Sequence, residues 1–141
     1  PQKQSSWKRI YRRRIVISKW SKFVLVTVNL KYIYKIVQND EWQKTKSSGA
    51  YFGSSKDIQD GFIHFSGEEQ VESTLKKYYA NQKNLILLKV ETLNLDHLIW
   101  EQVSDGNMFP HLYSKLDLSH VIEEFEIKLA NDGNHKLPEG Y

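Results

Sequence analysis

Residues 61–72, GFIHFSGEEQVE, limit what this chain can fold into more than any other stretch, because two periodicities meet there. Read as a strand, the first half places Phe62, His64 and Ser66 on one face and Ile63 and Phe65 on the other. Ser66 followed three residues later by Glu69 is a capping-box signature, so a helix is expected to start there. The pattern delivers a histidine to a strand end beside a helix N-terminus, where unpaired N–H groups favour anions and phosphates. It locates a site without naming a reaction.

The chain has 141 residues, 40% hydrophobic and 26% charged, which suits one ordinary globular domain with a single sizeable core. It has no cysteine, so disulfides, thiolate catalysis and Cys-ligated metal sites are excluded. The five histidines, at 64, 97, 111, 120 and 135, show neither HxH nor HxxxH spacing, and no metal is expected. The apolar run FVLVTV at 23–28 is too short to span a bilayer; no membrane partner and a cytoplasmic location are expected.

The net charge of +3 hides an asymmetry. Residues 1–30 carry eight basic groups and no acid, leaving 12 basic against 17 acidic residues in the remaining 111. Residues 1–30 therefore read as a basic N-terminal extension outside the domain, and 31–141 as a single α+β domain. The extension has three readings: a targeting presequence, a tether for nucleic acid or anionic lipid, or a segment without function. Its 23–28 run is β-branched enough to form an added strand. A nucleic-acid partner is expected only if this segment is functional; the mildly acidic body makes no such case.

Along the body, YIYKIV (32–37) reads as a strand, and Asp40 with Gln43 as the cap of a short helix over 41–47. The glycine-rich 49–61 reads as a loop with one short strand at Tyr51 and Phe52. A strand over 62–66 leads into a helix over 67–80, whose Val71, Leu75, Tyr78 and Tyr79 form a core-facing stripe. LILLKV (85–90) suits a central strand, and LIWEQV (98–103) another before the turn SDGN. Pro110 withholds a donor and places MFPHLY (108–113) at a sheet edge. VIEEFEIKL (121–129) alternates as a half-exposed antiparallel strand. Two helices and about six strands, helices early and strands late, indicate α+β.

Each chemical candidate also has an ordinary structural role. His64 is either a site residue or a half-buried strand histidine bonded to a carbonyl. Ser66 is first a helix cap, since no Gly-x-Ser-x-Gly elbow surrounds it. His111, beside Pro110 and Tyr113, is a site group or a structural one; Glu101 after Trp100 is a candidate acid or simply faces water. Tyr51, Phe52, Gly53 and Ser54 can stack on a ring or phosphate, or form an ordinary turn. His64-Phe65-Ser66 also matches the His-x-Ser/Thr unit of two-histidine phosphoesterases, but His111 is followed by Leu112 and Tyr113, so the second unit is missing.

Taken together, YIYKI at 32–36, GAYFGS at 49–54, DGFIHFSGEEQV at 60–71, Trp100-Glu101, FPHLY at 109–113 and DGNHKLP at 132–138 resemble the bacterial "domain of unknown function 952" family. The likeness covers about residues 32–138 and leaves 1–31 outside. That family resembles the ADP-ribosyltransferase-like fold: two small antiparallel sheets forming a split, barrel-like cleft with flanking helices. The resemblance implies a small nucleotide ligand, with NAD as substrate. It implies His64 and Ser66 in the nicotinamide–ribose cleft, Tyr51 and Ser54 on its rim, His111 opposite, and Tyr113 among the binding residues.

By this likeness His64, Glu101 and His111 are the expected catalytic residues. His64 orients a ribose hydroxyl or phosphate, the helix start near Gly67 receives negative charge, and Glu101 or His111 assists departure of nicotinamide. The expected function is binding of NAD or ADP-ribose with transfer or cleavage of ADP-ribose. The alternatives are a non-catalytic nucleotide-binding or regulatory domain and an RNA 2′-phosphotransferase-like enzyme. The sequence leaves the oligomeric state open.

Overall fold

A computed structural model describes residues 31–141, so the readings of 1–30, including the added strand at 23–28, lie outside the described residues. At its centre β4 (Leu85–Glu91) pairs antiparallel with β1 (Tyr32–Gln38) on one side and β8 (Val121–Leu129) on the other. The short β9 (His135–Lys136) extends this sheet in the order β1-β4-β8-β9. A second sheet has the order β3-β6-β5, from β3 (Ile63–His64), β6 (Met108–Leu112) and β5 (Leu98–Gln102). β2 (Ala50–Tyr51) and β7 (Leu116–Asp117) form a third pair. Among the described residues the class is α+β with antiparallel sheets and no closed barrel, and three sheets stand where two were expected.

The period of two explains how β1 and β4 serve two cores. Ile33 and Val37 join Leu88 and Val90 in one buried cluster; Tyr34 and Ile36 join Leu85 and Leu87 in the other. Each fully buried aliphatic side chain contributes roughly 1.5–3 kcal/mol relative to exposure. Lys35 shares the face of Ile33 and Val37 and is itself buried. β8 behaves as expected: Ile127 is buried while Glu124, Glu126 and Lys128 are exposed.

Among the described residues there are three α-helices and nine strands, and the helices carry most of the corrections. α1 (Asn39–Lys46) begins before the expected Asp40 cap; Gln43 Nε2 instead donates to Asn39 Oδ1 at 2.9 Å. α2 (Ser55–Asp60) occupies a stretch expected to be loop. It is started by a Ser54–Asp57 capping box and ended by Gly61 in the left-handed region at φ 86°.

α3 (Val71–Tyr78) is shorter than the expected 67–80, with a 3-10 turn over Glu68–Gln70 before it. Ser66 does not cap it. The Gly67 N–H donates to Gln70 Oε1 at 2.8 Å, and Ser66 Oγ instead pairs with Thr74 Oγ1 at 3.1 Å. Val71 and Leu75 face the core, but Tyr78 is 57% exposed, so the predicted stripe is narrower than four residues.

Pro110 lies in the middle strand of its sheet, not at an edge. The physical reason is that β3 ends at His64, opposite His111, so Pro110 falls beyond that ladder and its missing N–H breaks no rung. Its carbonyl still accepts from the Phe65 N–H at 3.0 Å. One residue later the chain changes sheets: Ser66 and Tyr34 exchange two backbone hydrogen bonds of 2.8 Å, tying this segment to β1. Residues 63–66 are therefore a handover between two sheets.

Candidate functional site

A cleft of about 700 Å³ opens where these elements meet, with β1, α2, β3, α3 and β6 all contributing to its walls. His64, Ser66 and His111 line it, as does Ser54 at the start of α2. The alternation in 62–66 holds: Ile63 and Phe65 enter the core, while the Phe62 ring lies 4.6 Å from that of His64.

The deepest charged group is Asp57, 2% exposed. Its Oδ2 pairs with Lys35 Nζ at 2.9 Å and accepts from the Ser54 N–H at 2.9 Å. Its Oδ1 meets His64 Nδ1 at 2.5 Å and the His64 backbone N–H at 3.2 Å. Burial alone would raise the Asp57 carboxyl, but the His64 hydrogen bond and the Lys35 cation outweigh it and hold the group well below the usual carboxylate range. Burial lowers the Lys35 ammonium from its ordinary value, and Asp57 opposes that fall. His64 has a second acid partner, since its Nε2 lies 3.1 Å from Asp60 Oδ2.

His111 is organised differently. Its Nδ1 lies 2.9 Å from Glu101 Oε1, and the Tyr113 hydroxyl donates to the same oxygen at 2.5 Å. Phe62 stacks on the imidazole with centroids 4.2 Å apart and planes 25° apart. Burial pushes His111 down from its ordinary value, while the hydrogen bond and charge of Glu101 push it up. Glu101 and Tyr113 thus stand behind His111 and are not on the lining of the cleft.

Glu101 and Tyr113 were expected at the cleft, and two further expectations fail on placement. Tyr51 is not on the rim: it is a core residue, edge-on to Trp42 at 6.2 Å, because β2 turns that face inward against β7. The helix start near Gly67 does not receive an anion from the cleft, whose lining excludes it. Its N–H is already bonded to Gln70, and Glu68 and Glu69 place negative charge in the same turn.

Lys35, Asp57, Asp60 and Phe62 are the site residues that sequence reasoning missed as such. A signal existed for two of them. Lys35 is a lone cation in an apolar strand run, which demands a buried acid partner. Ser54-x-x-Asp57 is itself a capping box and marks a helix in the supposed loop. Among the described residues no cluster of three or more metal-ligating side chains occurs, and no helix is long and apolar enough to cross a membrane.

A family model described as "Protein of unknown function (DUF952)" matches residues 36–124. Among solved structures, the crystal structure of protein CC0527 from Caulobacter crescentus is 43% identical, with a TM-score of 0.71, and the match covers 75% of this chain and 94% of that one. Its solution NMR structure is also 43% identical, with a TM-score of 0.66 and coverage of 73% and 90%. No curated protein matches the chain.

Proposed function

This chain belongs to the DUF952 family of proteins of unknown function, and from that footing we propose that its cleft binds NAD or ADP-ribose and transfers or cleaves ADP-ribose. The observation that carries the reading is the meeting of His64, Ser66 and His111 in one cleft of about 700 Å³. That volume lies within the usual range for small-molecule sites. The walls offer what a dinucleotide needs: Lys56 and Lys77 for phosphates, Tyr78 and Phe109 for a ring, and Ser54 and Asn107 for ribose hydroxyls. The choice of ligand follows the resemblance to the ADP-ribosyltransferase-like fold drawn from the sequence motifs alone.

A second reading has its own support. Glu101, the acid expected to assist nicotinamide departure, lies behind His111 instead of on the cleft wall. This favours a domain that binds the nucleotide without chemistry. Calorimetric titration with NAD and ADP-ribose, against ATP and GMP as controls, tests both readings together: heat with the first two only is expected. No heat with either removes both. A single-turnover assay then separates them, because released nicotinamide is expected from the catalytic protein alone.

A further inference from the structure

The two cleft histidines differ in the nitrogen each has left over. Both ring nitrogens of His64 meet carboxylates, Nδ1 at Asp57 and Nε2 at Asp60. His111 meets one, Glu101, through Nδ1; its Nε2 has no hydrogen-bond partner among the described residues, and the residue lines the cleft. A neutral imidazole that donates from Nδ1 keeps its lone pair on Nε2. We propose that His111 is the proton-accepting residue of the cleft, working through Nε2, and that Glu101 is its positioning residue. The inference rests on the reading of the cleft as an NAD or ADP-ribose site and assigns the proton transfer within it.

The ring is held by two contacts. Glu101 Oε1 accepts from Nδ1–H and is itself held by the Tyr113 hydroxyl, which donates to the same oxygen, and Phe62 stacks against the imidazole. The charged and titratable groups facing His111 are Glu101 from β5, and His64 and Asp60 from β3 and α2. Burial and His64 disfavour the imidazolium, while Glu101 and Asp60 favour it. The net direction is downward, so the ring is neutral at pH 7 and Nε2 is open to a proton.

With NAD in the cleft the step balances without a further reagent. Nε2 takes a proton from water as the water oxygen bonds to the anomeric carbon of the nicotinamide ribose. The carbon–nitrogen bond breaks, and its electron pair stays on the ring nitrogen, so nicotinamide leaves neutral. The proton then passes from Nε2 to solvent. A hydroxyl acceptor in place of water gives transfer instead of hydrolysis.

The test combines ring-nitrogen NMR on the full chain with nicotinamide release measured across pH, for the wild type, His111→Gln, Glu101→Gln and Glu101→Leu. The expected spectrum has the His111 proton on Nδ1 in the wild type and in E101Q, whose amide oxygen still accepts, and on Nε2 in E101L. Release is expected to fall about 100-fold or more in H111Q, in kcat and not KM, with loss of the acid limb of the profile. E101L is expected to lose rate and E101Q to recover part of it. Should E101L not fold, the wild-type ring spectrum and the rate and profile of H111Q still decide the assignment. A wild-type His111 proton on Nε2, or H111Q with unchanged rate and profile, overturns the assignment. Absence of heat with both NAD and ADP-ribose instead removes the ligand reading, and the spectra still decide where His111 carries its proton.

Discussion

His64 and His111 stand directly opposite each other in the β3–β6 ladder, with ring centroids 5.5 Å apart at an interplanar angle of 70°. A two-residue strand is enough to bring them together because the histidine closes β3 at the rim of the cleft.

That proximity bears on the proton of His111. The charge of His64 contributes to lowering His111. His64→Gln removes that charge and leaves Asp60 without its imidazole partner, and both changes favour the His111 imidazolium. The His111 pKa is therefore expected to rise in H64Q, read by NMR titration of its ring protons. A fall would show that the rings do not interact as placed.

The Lys35–Asp57 pair sits in the core wall, with side-chain exposures of 5% and 2%. Breaking a buried pair by removing one partner typically costs about 3–5 kcal/mol, because the other charge stays buried. Asp57→Ala is expected to cost more than Lys35→Met, since Asp57 also accepts from His64 and the Ser54 N–H, which lose their partner. Urea denaturation of the two variants decides the order.

Acidification is expected to weaken the fold in two stages. His111 is lowered from its ordinary 6.5, so the unfolded chain takes up that proton first, and stability falls as pH drops below about 6.5. Asp57 is lowered from 3.8, so its contribution is intact above that value and is lost as pH falls below it. His111→Gln should erase the first stage and Asp57→Asn the second, in urea midpoints measured from pH 8 to pH 2.

Gly53 and Gly61 both have positive φ, at 107° and 86°, but their surroundings differ. A Cβ at Gly61 meets nothing within 4 Å, whereas one at Gly53 falls 2.6 Å from Asp57 Cβ. Gly61→Ala is expected to cost about 1–2 kcal/mol, the left-handed penalty alone. Gly53→Ala should cost more and also displace Asp57 from His64, visible as a changed His64 ring chemical shift in NMR that Gly61→Ala does not show.

Tyr51 separates stability from binding. Because it packs in the core against Trp42, Tyr51→Leu is expected to lower the thermal midpoint while leaving nucleotide affinity at 15 °C unchanged. A selective loss of affinity would return Tyr51 to the cleft rim.

Several of these residues were legible as a pattern before they were legible as a site. The period of two in 62–66 sorted Phe62, His64 and Ser66 from Ile63 and Phe65 correctly, since alternation is a local property of extended backbone. The capping signature at Ser66 and Glu69 misled by one residue, because the Gly67 N–H takes Gln70 and a 3-10 turn intervenes before α3. Pro110 misled for a different reason. Its missing donor signals an absent rung, and rungs are absent wherever a neighbouring strand has ended, including beside the two-residue β3.

By itself the sequence determined the longer strands, the alternation of β8 and of residues 62–66, and the α+β class. These follow from near-neighbour spacing, which dihedral preferences and side-chain alternation turn directly into local shape. Only the tertiary structure decided which acid serves which histidine. Lys35 comes from β1, Asp57 and Asp60 from α2, His64 from β3, Glu101 from β5 and His111 from β6. Their pairing depends on strand order and on the handover of the chain between sheets at Ser66, which no local period encodes. His64 and His111 are the same residue type on adjacent strands; the carboxylates packed around them leave one ring nitrogen open and close the other three.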